Sequence, residues 1–135
     1  NARAAVITRG LAEMTRLGVA LGADPLTFLG MSGVGDLVLT CAGDLSRNRM
    51  LGKQLAAGVD PKEYLASKRS VAEGFSTAAA AHALAQKLGV EMPITENVYE
   101  VLHRGRSLKD AVKVLLERTY KDELAGIAPG WPSAL

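Results

Sequence analysis

The side chains best suited to chemistry fall in three short stretches. Gly33-Val34-Gly35-Asp36 is followed ten residues later by Ser46-Arg47-Asn48-Arg49. If Ser46 opens a helix, the unpaired N–H groups of the first turn and the helix dipole favour an anion there. Arg47 adds a planar fork suited to phosphate or carboxylate. Ser46 and Asn48 add short donors, and Asp36 is an acceptor suited to a sugar or polyol hydroxyl. Together they describe a site for a small phosphorylated hydroxy compound. A simpler account fits the same residues: Ser46 is a cap, Arg47 and Arg49 are solvated charges, and Asp36 is a cap or an ion-pair partner. Caps are common and anion sites rare. Spacing alone leaves both readings open. The third stretch is Val71-Ala72-Glu73-Gly74. Its carboxylate could accept a hydrogen bond from a ribose or amide group, or merely complement a helix N-terminus.

Other residues carry weaker signals. Gly33-Val34-Gly35 is not a dinucleotide fingerprint, because Val38 holds the third glycine position and no strand precedes it. His82 and His103 have no Cys, Asp or His partner at metal-ligand spacing, so no metal is expected. Met14, Met31, Met50 and Met92 read as core filler. Cys41 reads as buried and inert.

Helices must position these groups. Ile7, Leu11, Met14, Gly18 and Leu21 recur at spacings of three and four, which predicts a helix over residues 2–21 with one buried stripe. Arg9, Glu13 and Arg16 fall away from much of that stripe. Asp24-Pro25 predicts a capped short helix to about residue 29. Residues 37–39 predict a buried helical turn. Ser46 caps a helix stopped by Gly58, and Asp60-Pro61 opens another short turn. An alanine-rich helix follows Glu73 and ends at Gly89, with small side chains that let a neighbour approach closely. Met92-Pro93 starts a helix with Ile94, Val98 and Leu102 on one face, ending at Gly105. Ser107 to Asp110 forms a capping arrangement for a last helix carrying Leu108, Ala111, Val112, Leu115 and Leu116. The expected organisation is one helical domain over residues 1–125 and a loose tail over 126–135.

Composition agrees. Alanine and leucine dominate the 135 residues and aromatic residues are 4%, which favours an all-α chain. A net charge of +2 gives no ground for nucleic acid or a membrane surface as partner. No apolar run approaches the roughly 20 residues that span a bilayer. One cysteine excludes an internal disulfide and suits a reducing cytoplasm. The chain starts without methionine inside a helical pattern, so it is expected to be a fragment of a longer protein.

Five ordered stretches carry a resemblance. They are residues 1–14 (NARAAVITRGLAEM), 33–41 (GVGDLVLTC), 43–49 (GDLSRNR), 71–78 (VAEGFSTA) and 91–95 (EMPIT). With them the chain resembles, from Asn1 to about Leu124, the C-terminal substrate-binding domain of bacterial NAD(P)-dependent sn-glycerol-3-phosphate dehydrogenases. Met31-Ser32 departs from the family's more usual apolar-plus-alanine pair, for which only a packing change is expected. The resemblance implies an all-helical domain of the 6-phosphogluconate-dehydrogenase-like kind. It implies reversible hydride transfer between NAD(P)H and dihydroxyacetone phosphate, giving sn-glycerol 3-phosphate for phospholipid synthesis. By motif match, Asp36, Ser46, Arg47 and Asn48 bind the substrate, and Arg47, Val71 and Glu73 touch the cofactor. The resemblance also implies a catalytic lysine and a nucleotide-binding domain upstream of Asn1, that domain holding most of the NAD or NADP, and a homodimer. The 135 residues alone are then expected to be inactive. The rival expectations are a non-catalytic helical module for dimerisation or partner binding, and a sibling dehydrogenase for another 2-hydroxy substrate.

Overall fold

A computed structural model describes residues 2–43, 45–67 and 72–117. Every regular element among them is helical. Helix α1 (Ala2–Ala20) leads into a 3-10 turn (Pro25–Leu29), a π turn (Met31–Gly35) and α2 (Asp36–Ala42). Then come α3 (Arg47–Ala56), α4 (Pro61–Ala66), α5 (Glu73–Leu88), α6 (Pro93–Arg104) and α7 (Leu108–Glu117). The expected tail over 126–135 lies outside the described residues.

Local chemistry sets most of the ends. Asp24 accepts from the Leu26 N–H at 2.9 Å, and Asp60 accepts from Lys62 and Glu63 at 2.8 and 3.1 Å. Each is followed by a proline whose fixed φ suits a first helical position. Gly89 ends α5 and Gly105 ends α6 in the left-handed region, at φ 65° and 74°, where a side chain would be strained. Ser107 accepts from the Asp110 N–H at 3.1 Å and donates its own hydroxyl to the Asp110 carboxylate at 2.6 Å.

The core is small and lies between α3, α4, α5 and α6. Leu51, Ala72, Ala78 and Leu102 are buried there, with Leu55, Tyr64, Leu65 and Phe75 packed around them. Buried Ala78 and Ala85 on α5 let α6 come close, as small side chains should. Four rings then interleave across that interface. His82 stacks on Tyr99 at 4.1 Å and 4°, Tyr99 lies 5.3 Å from His103, and His103 lies 4.3 Å from Phe75.

Helix α1 departs from its expected stripe. Its buried positions are Ala12, Glu13 and Thr15, while Leu21 is exposed. Glu13 is only 2% exposed. Its carboxylate accepts from the Ile94 N–H at 2.6 Å, the Thr95 N–H at 3.1 Å and the Thr95 hydroxyl at 3.1 Å. A charged residue therefore caps α6 from 81 residues away, because Met92 at the N-cap has no acceptor to do so. Burial holds the Glu13 carboxyl above its ordinary value, and the hydrogen bonds and Arg16 pull against that shift.

Other apolar expectations fail on the surface of this first half. Residues 37–39 are helical, but Val38 and Leu39 are exposed. Met31 is 84% and Leu45 97% exposed, and Met50 also reaches solvent. Cys41 is half-buried. Isolated apolar residues on a surface are ordinary, but Leu21, Leu26, Leu29, Met31, Leu39 and Leu45 crowd into one short stretch of chain.

Candidate functional site

The start of α3 is built by its own sequence. Ser46 is extended, at φ −66° and ψ 116°, and its Oγ accepts from the Arg49 N–H at 3.2 Å. That bond uses a lone pair and leaves the hydroxyl hydrogen free to donate. Arg49 reaches back and donates from Nη1 to the Gly43 carbonyl at 3.4 Å, tying the start of α3 to the end of α2.

The start of α5 cannot cap itself, since its N-cap residue is Ala72. Its cap comes from α3. Asn48 Oδ1 accepts from the Gly74 N–H at 2.9 Å, across 26 residues. Glycine at 74 leaves room for this approach: a Cβ there would lie 2.7 Å from Asn48 Oδ1 and would push that side-chain end aside. Locking Oδ1 as the acceptor fixes which end of the amide is which, and leaves the Nδ2 hydrogens for another partner. Beside this bond, Arg47 Nη2 sits 3.2 Å from Glu73 Oε1. So Ser46, Arg47, Asn48 and Glu73 do come together, at two converging helix N-termini.

The electrostatics of the cluster favour an anion. Each N-terminus carries roughly half a positive charge, and Arg47 and Arg49 add cations beside the carboxylate of Glu73. The Arg47–Glu73 pair is exposed, at 56% and 74%, so water screens it. Such pairs contribute at most about 1 kcal/mol. A phosphate oxygen can therefore take the place of Glu73 on Arg47 without a large loss. Glu73, released, becomes an acceptor for hydroxyl or amide donors.

Asp36 lies on another helix. It opens α2, with its N–H directed to the Met31 and Gly33 carbonyls. The seven residues of α2 separate it from Gly43 by roughly 10 Å of helix. Its side chain is exposed and makes no hydrogen bond among the described residues. What sets its place is the glycine passage before it. Gly33 is buried, and a Cβ there would lie 2.0 Å from the Phe28 carbonyl oxygen. Val71, the remaining candidate, lies outside the described residues.

Two surface cavities lie elsewhere. One of about 180 Å³ is lined by His82, Glu91 and Thr95 among others, and one of about 460 Å³ by Met50, Gln54 and Tyr64 among others. Neither includes a candidate residue. Among the described residues no group of three His, Cys, Asp or Glu could hold a metal ion. No helix among them is long and apolar enough to cross a membrane. The Asn48–Gly74 bond was missed from sequence, though the glycine after Glu73 was its trace.

Known proteins resemble this chain. Residues 1–113 match the family model described as the C-terminus of NAD-dependent glycerol-3-phosphate dehydrogenase. The chain is 58% identical over 123 residues to glycerol-3-phosphate dehydrogenase [NAD(P)+] of Oleidesulfovibrio alaskensis, covering 91% of this chain and 37% of that protein. It is 56% identical over 127 residues to the protein of the same description from Myxococcus xanthus, covering 94% and 38%. A 2.1 Å crystal structure of glycerol-3-phosphate dehydrogenase from Coxiella burnetii superposes with a TM-score of 0.83 at 48% identity, covering 87% of this chain and 36% of that one. The chain thus spans little more than a third of the length of the relatives it matches.

Proposed function

Because this chain belongs to the family of C-terminal domains of NAD-dependent glycerol-3-phosphate dehydrogenase, we propose that it is the substrate-holding part of an enzyme interconverting dihydroxyacetone phosphate and sn-glycerol 3-phosphate. The observation that carries this reading is the convergence of two helix N-termini on Arg47, Asn48 and Ser46. That is the donor set a phosphate monoester needs. In this reading Arg47 grips the phosphate, with the Ser46 hydroxyl and the Asn48 amide as further donors. Asp36, at the other end of α2, accepts from the hydroxyl end of the substrate.

NADH or NADPH, when bound, would supply the hydride to dihydroxyacetone phosphate, and NAD or NADP would take it back in the reverse direction. Glu73 and Arg47 fit the cofactor's polar parts, one as an acceptor for hydroxyls and amides and one as a cation for phosphate; Val71 belongs with them by motif match. The proton at the substrate oxygen is handled by a lysine upstream of Asn1, so the 135 residues alone bind and orient without turning over. The names of the relatives support the same reading over a non-catalytic helical module. With it go a role in glycerophospholipid synthesis, a cytoplasmic location, to which the lone Cys41 is suited, and a homodimer.

Arg47→Ala in the protein extended to its natural start tests this. Loss of a charge-assisted bond to phosphate raises KM for dihydroxyacetone phosphate by about 10- to 100-fold. The melting temperature stays nearly unchanged, because the exposed ion pair holds little of the fold. An unaltered KM removes the assignment.

A further inference from the structure

Half of the candidate site rides on the first turn of α5, where Glu73 meets Arg47 and the Gly74 N–H meets Asn48. That turn has no cap of its own. It is held instead from α6. His103 Nε2 lies 2.8 Å from the carbonyl oxygen of Phe75, the residue after Gly74. A carbonyl only accepts, so Nε2 carries the proton and donates it. The Phe75 oxygen has a second lone pair for the α-helical bond further along α5, so the two bonds do not compete. The imidazole is also boxed in, 4.3 Å from the Phe75 ring and 5.3 Å from the Tyr99 ring.

Helix α6 is a fixed strut for this contact. Its N-terminus is pinned to α1 by Glu13, and its C-terminal turn carries His103. If the bond to Phe75 is lost, the first turn of α5 can slide against α6. Glu73 and Gly74 then shift against Arg47 and Asn48. Lone histidines on a helix otherwise read as packing, but this one holds a backbone carbonyl one residue from the site.

We propose that His103 is a positioning residue for the phosphate site: by donating to the Phe75 carbonyl it fixes the first turn of α5, and with it Glu73 and Gly74, against the start of α3. The inference rests on the reading of that cluster as the substrate site.

The test compares variants of the protein extended to its natural start, with KM and kcat for dihydroxyacetone phosphate and the melting temperature measured on each. His103→Phe keeps a ring and loses the donor. His103→Gln keeps a donor at similar reach. His103→Met has the shape of glutamine without the donor and replaces the phenylalanine comparison if that variant does not fold. One neutral hydrogen bond sets the scale, so His103→Phe and His103→Met raise KM about three- to tenfold with kcat within about twofold, and His103→Gln returns KM to within about twofold of the parent. A lowered melting temperature with KM unmoved makes His103 a packing residue and overturns the proposal. So does a KM raised equally in all three variants. Arg47→Ala in the same series separates the failures. If it raises KM and the donor-free variants do not, only the His103 role falls. If Arg47→Ala is itself silent, the site reading falls and takes this inference with it.

Discussion

Glu13→Ala removes the carboxylate by which α1 caps the start of α6. Three donors lose their partner: the Ile94 and Thr95 N–H groups and the Thr95 hydroxyl. An orphaned buried donor costs about 1 to 3 kcal/mol. The Thr95 hydroxyl can rotate to another acceptor, so two backbone groups remain. Removing a carboxylate that is 2% exposed also removes its desolvation penalty, which offsets part of the loss. The net expectation is about 3 kcal/mol. With a urea slope of about 1.5 kcal/mol per molar, the unfolding midpoint falls by about 2 M. Glu13→Gln gives the pH test. The folded-state carboxyl sits above its ordinary value of 4.5, so the folded chain holds the proton more tightly than the unfolded one. The stability linked to this group is present in full below about pH 4.5 and is lost as pH rises through the folded value. On acidification through that window the parent therefore gains stability relative to Glu13→Gln. A midpoint for Glu13→Ala within about 0.5 M of the parent would refute the cap. A parent that loses ground to Glu13→Gln on acidification would refute the dominance of burial.

Two glycine substitutions separate positioning from stability. Gly33→Ala places a Cβ against the Phe28 carbonyl, where backbone must move; the loss is about 3 kcal/mol or more by thermal melting, with KM rising as Asp36 shifts. Gly74→Ala pushes only on the end of the Asn48 side chain, at 2.7 Å. It leaves the melting temperature within a few degrees and raises KM for the phosphate substrate by about tenfold, which steady-state kinetics would read directly.

The legible part of this fold was the local part. Asp24, Ser46, Asp60 and Ser107 each bond to an N–H two or three residues on, so their roles can be read within one turn of chain. The same holds for Gly89 and Gly105, whose left-handed backbone marks helix ends. Partners far along the chain left no such mark. Glu13 looked like a surface charge because its donors lie beyond residue 93, and a helical stripe is scored by apolarity alone. Asn48 was identified as a candidate, but its bond to Gly74 depends on how α3 meets α5. The exposure of Met31, Leu39 and Leu45 was equally hidden, since an apolar residue carries no sign of whether this part of the chain covers it. For the candidate site, type and spacing single out the residues at the start of α3 and Glu73, while their meeting depends on how α3 packs against α5.

As proposed above, these residues hold a phosphorylated triose for hydride transfer completed by residues upstream. Cofactor oxidation with dihydroxyacetone phosphate tests it, run side by side on the 135-residue chain and on the protein extended to its natural start. Turnover is expected in the extended protein and none in the 135-residue chain alone. A folded extended protein that oxidises no NADH or NADPH with dihydroxyacetone phosphate would contradict it.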